Sequence, residues 1–204
     1  MRGTVSLTEV SYGQLPMDTV VRHEAGHAVM AHACGGCVNR VIFGRAASGE
    51  NYGRAFYAVP DLDKYLLVLS GGVLALYLHE RPGITFESFT EWVSTPDGYA
   101  QAVSGASDWS EILRLTQQPQ GYGMEDFLKR AVRPYFDEAI ERLAGAREQI
   151  DGLTERLLAQ PPGLGPRSLK RFFAGSRRNR LAEWIDRPRI VWTAYAEASG
   201  IRNT

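Results

Sequence analysis

The sequence predicts a mainly α fold (α+β) with a small β-sheet and a C-terminal helical bundle. Two helix-length stretches, 17–34 and 61–80, flank a short, β-branched, alternating run at 38–43. Beyond residue 126, apolar side chains recur every three to five positions, the strongest helical periodicity in the chain. At 204 residues this makes one domain, or one with a small appendage.

The first helix is expected over 17–34, where Val20, Val21, Ala25, Ala28, Val29 and Ala33 supply apolar faces. Asp18 or Thr19 is expected as its N-cap, and the Gly35-Gly36 pair ends it. Residues 38–43 read as a strand, 44–53 as a turn-rich connection and 55–59 as a second strand. Helical length resumes over 61–80 with Leu66, Leu67, Leu69, Leu74 and Leu78, and Arg81-Pro82-Gly83 stops it. Residues 84–107 are irregular, suggesting a functional loop or a short helix with long connections. A short helix over 108–116 follows. Phe127, Ala131, Tyr135, Ile140, Leu143, Ala146, Ile150, Leu153 and Leu157 then mark one long amphipathic helix or a hairpin of two, with Pro134 starting or kinking it. Pro161-Pro162-Gly163 closes this region, and 168–173 reads as a further short helix.

Composition excludes several classes. Apolar residues are 44% and charged residues 23%, so a buried core is within reach and wholesale disorder is not expected. Lys+Arg equals Asp+Glu at 23 each, so no overall charge draws the chain onto nucleic acid. The balance is local, however: residues 167–204 carry 9 basic and 3 acidic side chains. The longest near-continuous apolar stretch, 65–78, is 14 residues and interrupted by Gly71-Gly72, short of the ~20 of a spanning helix, so no membrane span is expected. Residues 1–16 lack a secretory pattern, and with only Cys34 and Cys37 a reducing, cytoplasmic location is expected.

The string His23-Glu24-Ala25-Gly26-His27 carries the chemistry. Residues four apart on a helix share one face at about 6 Å, so both imidazoles can reach one metal ion. Glu24 lies about 100° round from His23, placed to act on metal-activated water without being a ligand. The competing reading is a solvated histidine pair. A catalytic zinc needs a third protein ligand, for which His32, Glu80, Glu87, Asp97, Asp108 and Glu111 are candidates. Asp108 is chosen, because the small residues of Ser104-Gly105-Ala106-Ser107 permit close approach to the first helix. Asp108 with Glu111 three residues on is equally a helix capping box.

These residues resemble a known family. VRHEAGHAVMA at 21–31, with SGASD at 104–108, is similar to the zinc peptidase domain of FtsH, the membrane-anchored AAA+ protease, and of its stand-alone relatives. Leu69-Ser70-Gly71-Gly72-Val73-Leu74-Ala75 matches the family's small-residue helix less closely. The resemblance covers roughly 17–173, leaving 1–16 as an N-terminal extension and 174–204 as a basic tail. It implies Zn2+ held by His23, His27 and Asp108, with Glu24 as general base, in a mainly helical peptidase domain. The chain departs from the family in spacing before Asp108, so Glu111 is kept as reserve third ligand, and in Leu74-Ala75-Leu76, where the family has Ala-Ala-Glu.

The sequence holds no Gly-x-x-x-x-Gly-Lys-Ser/Thr string to cradle phosphates. The expected function is therefore that of a zinc metalloendopeptidase acting on unfolded or flexible polypeptides, served by a separate ATPase or unfoldase where delivery is needed, with a homo-oligomer left open. The alternative is a zinc-containing adaptor or regulatory module without turnover. Weaker signals are the Cys34-Gly35-Gly36-Cys37 spacing, read chiefly as a helix-ending turn, and 38–43, read equally as an edge that a substrate strand could extend or as an ordinary paired strand. The arginines at 177, 178 and 180 read as a solvated linker, and Trp184 and Trp192 as docking residues.

Overall fold

The computed structural model describes residues 15–81, 83–104, 106–117 and 128–174. Nearly all of the N-terminal extension and basic tail, with Gly105, Phe127, Trp184 and Trp192, lie outside these residues. The architecture is the mainly helical α+β arrangement predicted. Helix α1 (Met17–Ala33) leads into strands β1 (Cys37–Arg45) and β2 (Asn51–Ala58), then helix α2 (Leu62–Glu80). Short helices α3 (Phe86–Val93), α4 (Pro96–Ser104) and α5 (Ala106–Leu115) follow. A π turn (Leu128–Val132) opens the hairpin of α6 (Arg133–Ala144) and α7 (Arg147–Leu158), and strand β3 (Gly163–Leu164) precedes α8 (Pro166–Ala174).

Two helices form the centre because their sequences bury every face. From Val20 to Ala31 only Arg22 in α1 is not buried, and α2 is buried continuously from Leu66 to Leu78. A helix without a polar face must lie inside. The two approach closely at Gly26 and Gly71: a Cβ on Gly26 would stand 2.4 Å from the Gly71 carbonyl oxygen. Amphipathic α6 and α7 cover this pair, with Phe136, Ala139 and Leu143 of α6 and Leu153 and Leu157 of α7 turned inward. By length and composition α2 could cross a membrane, but 78% of its apolar window is buried inside the protein.

Several local expectations are corrected. Helix α1 starts earlier than the capping residues implied: Pro16 occupies the N-cap without a side-chain bond, and the Asp18 carboxylate accepts from the Thr19 amide instead. Residues 84–107, read as a functional loop or a short helix with long connections, instead hold two short helices and the start of a third with short connections. Thr85 caps α3 through the Ser88 amide, and the Thr95 hydroxyl receives the Gly98 amide where Pro96 opens α4. Tyr77, Phe86, Phe89, Trp92 and Phe136 then stack, and the Trp92 indole donates to Glu80 at 2.6 Å, pinning α3 to the end of α2.

The sheet order is β2-β1-β3, all antiparallel. Strand β1 is therefore central and paired on both sides, so 38–43 is not an edge; among the described strands, β2 and β3 are outermost. The two-residue β3 has too little pattern to be read from sequence. It depends on Gly163, whose φ of 142° and approach to Val41 exclude a side chain.

The start of α2 depends on Asp61, whose carboxylate accepts from the Lys64 amide at 2.8 Å. Asp61→Ala is expected to cost about 1 kcal/mol. An unchanged urea midpoint would contradict this cap's contribution.

Candidate metal centre

Three side chains from two helices converge on one point. His23 and His27 lie one turn apart on α1, and Asp108 enters from the first turn of α5. The two Nε2 atoms are 2.9 Å apart, and Asp108 Oδ2 lies 3.1 Å from each. His23 and His27 are buried, while the Asp108 side chain keeps 18% exposure, so the cluster reaches the surface on the α5 side. Asp108 arrives there because Trp109, Ile112 and Leu113 anchor α5 in the core. It is the third residue of the helix and spends its carboxylate on the imidazoles, which corrects the capping-box reading.

The second ring nitrogen of His27 is held by main chain. His27 Nδ1 donates to the Val68 carbonyl at 2.7 Å, which fixes the ring and turns Nε2 toward the cluster. The His23 ring lies over Gly72, where a Cβ would stand 2.4 Å from Nε2. Glu24 is 4% exposed and packs against Gly53 of β2, where a Cβ would stand 2.5 Å from its Cγ and 3.1 Å from Oε1. Gly53, Gly72 and Val68 are supporting positions that the sequence reading did not single out. Glycine inside an apolar helix or a strand was the available signal for the first two.

The electrostatics are mutual. Burial opposes charge on Asp108, but His27 and His23 outweigh it and hold its carboxyl well below the ordinary carboxylate range. Burial also opposes a proton on His27, yet the charge and hydrogen bond of Asp108, with Glu24 and the Val68 carbonyl, raise it to about 9. Burial pushes Glu24 up against the lowering effect of both imidazoles. Two carboxylates enclosed with two imidazoles make a pocket of negative potential that favours positive charge.

The donor set fits a divalent ion. Ligand atoms around a tetrahedral ion with bonds of about 2.0–2.2 Å stand roughly 3.3–3.5 Å apart, so edges of 2.9 and 3.1 Å need only small side-chain rotations. Among the described residues the group has three members, His23, His27 and Asp108. In zinc proteins generally, catalytic sites take three protein ligands and structural sites four.

The other candidates lie elsewhere. Glu111 is bound by the Arg114 guanidinium at 2.6 and 2.7 Å and does not join the group, which removes it as the reserve ligand. Glu80 holds Trp92 and Gln101, while His32 stacks on Phe173 at 4.3 Å. Glu87 and Asp97 sit in the first turns of α3 and α4, and neither belongs to the group. Cys34 and Cys37 are both free thiols, one buried and one exposed. Burial pushes the Cys34 thiol up, lowering its thiolate fraction. In the folded protein a disulfide reagent is expected to modify Cys37 promptly and Cys34 only on unfolding; two prompt thiols would contradict this placement.

No protein-family model matches the chain, and no curated protein matches it.

Proposed function

We propose that this chain is a zinc metalloendopeptidase in which His23, His27 and Asp108 hold the ion and Glu24 is the general base. The observation that carries the reading is the convergence of the two Nε2 atoms and Oδ2 within 3.1 Å beside a buried glutamate packed against Gly53 of β2. Mixed imidazole and carboxylate donors with three protein ligands suit zinc. The motif's resemblance to the FtsH peptidase domain supports the same assignment.

When bound, the ion supplies Lewis acidity to a carbonyl and lowers the pKa of a coordinated water to about 7. The protein does the rest. Val68 orients His27 and Gly72 admits His23, so the ligands keep their positions through a turnover. Glu24 accepts the proton of the attacking water and returns it to the leaving amine. Its burial raises its proton affinity toward the range in which one carboxylate can perform both transfers. Asp108 adds negative charge, balancing positive charge gathered at the site.

Substrate is presented along β2. Among the described strands β2 is outermost in the sheet, and its Gly53 packs against Glu24. An extended polypeptide laid along it by main-chain pairing comes within reach of Glu24, which selects unfolded or flexible chains over compact ones. Delivery of folded proteins by a separate unfoldase belongs to the same proposal.

The test is cleavage of unfolded casein by the purified chain. Activity is expected to disappear with a zinc chelator and return with about one equivalent of zinc. Binding of one zinc per chain with no cleavage of any unfolded substrate would contradict the peptidase reading and favour a metal-stabilised binding module.

A further inference from the structure

The strand beside Glu24 carries a second feature. Tyr57 lies two residues past Ala55, on the same face of β2. Its ring stacks on that of His27, centroids 6.3 Å apart and planes at 28°. Tyr65, the fourth residue of α2, approaches Tyr57 with centroids 6.1 Å apart. Both tyrosines are half-buried and pack against the core. Tyr57 is fixed by the β1–β2 ladder, where it pairs with Val38, and Tyr65 by the capped start of α2. Tyr57 thus stands against one ligand of the candidate metal centre, with Tyr65 beside it on a second rigid element. Such rings offer a large apolar area at small entropic cost.

We propose that Tyr57 and Tyr65 form a specificity wall that selects an aromatic or large apolar substrate side chain on the amino side of the cleaved bond. The proposal rests on the peptidase reading and adds the sequence preference and its direction. Direction follows from the strand. Antiparallel pairing is the commoner and more stable arrangement, and β2 runs from Asn51 to Ala58. A substrate paired antiparallel to β2 therefore passes Tyr57 before it reaches the level of Ala55 and Glu24. With alternate side chains on one face, the residue that meets the two rings precedes the bond by one or two positions. Discrimination of apolar side chains at such a wall is expected to be about tenfold or more in kcat/KM.

The experiment uses the full, zinc-loaded chain and a peptide library varied at three positions on each side of the bond, with products identified by mass spectrometry. Phe, Tyr, Trp or Leu is expected to be enriched about tenfold within two positions on the amino side. Tyr57→Val and Tyr65→Ala are expected to flatten that preference, and Tyr57→Phe to keep it. Zinc content of each variant separates lost recognition from a lost metal centre, and the wild-type profile is decisive even where a variant does not fold. Cleavage without enrichment, enrichment confined to the carboxyl side, or an unaltered preference in both truncated variants overturns the wall alone. Failure of the wild type to cleave any peptide overturns the peptidase reading and the wall with it.

Discussion

Glu24→Gln is expected to lower kcat by about 10²–10⁴-fold while leaving zinc content and fold unchanged, the range that positioned acid–base catalysis contributes. The substitution is close to isosteric. Gly53 leaves the same space beside the side chain. Only the ability to take a proton is lost. Because Glu24 is outside the group of three that could hold a metal ion, metal affinity should follow the wild type. Turnover within about threefold of wild type would remove Glu24 from the chemistry, and loss of zinc along with activity would make it a ligand rather than a base.

Gly72→Ala is expected to have a comparably large effect by a different route. The new methyl would stand 2.4 Å from His23 Nε2 and 2.6 and 2.7 Å from Cε1 and Cδ2, closer than real contacts allow. Both partners sit on central, buried helices, so the backbone has little room to move. The imidazole must rotate out of the cluster. Zinc affinity should fall at least about 100-fold, at or beyond the upper end of what loss of a ligand's supporting contact produces. Helix formation itself should not suffer, since alanine is favoured over glycine in a helix by about 1 kcal/mol. Gly152→Ala on α7 is the control, because its Cβ would find only Phe172, at 3.7 Å. Retention of full zinc affinity in the Gly72 variant, measured by competition with a chromophoric chelator, would show that His23 is not positioned as described.

The parts of this fold legible in the sequence are those fixed by local pattern. The helical nature of α6 and α7 follows from their apolar spacing, which left one long helix or a hairpin of two open, and the ends of α2 follow from Asp61 and Arg81-Pro82-Gly83. Histidine spacing likewise placed His23 and His27 on one face of a helix, because helical geometry alone settles it. What sequence could not give depends on packing between elements. Strand β1 has a strand's composition whether central or outermost, and only the pairing with the two-residue β3 makes it central. Residues 84–107 read as a loop or a single short helix because α3 and α4 are short and take their order from the aromatic cluster around Phe89 and Phe136. Asp108 carried two readings of equal weight, and the burial of Trp109 and Ile112 turns it toward the histidines.

One chain property joins the two predictions: small residues stand where the site needs room. Gly26 lets α1 meet α2, Gly72 lets His23 lie against α2, and Gly53 lets Glu24 lie against β2. Each would be a loss in a helix or strand chosen for propensity alone. Their positions around one buried cluster indicate a core shaped around the site.

X-ray absorption at the zinc edge of the zinc-loaded protein tests the central claim most directly. The account predicts one zinc per chain with two imidazole nitrogens and oxygen donors at about 2.0–2.2 Å and no sulfur, and loss of that signature in His23→Ala and Asp108→Ala. A sulfur shell at about 2.3 Å would place the metal at Cys34 and Cys37 instead, and protein that takes up no zinc at all would contradict the metal centre outright.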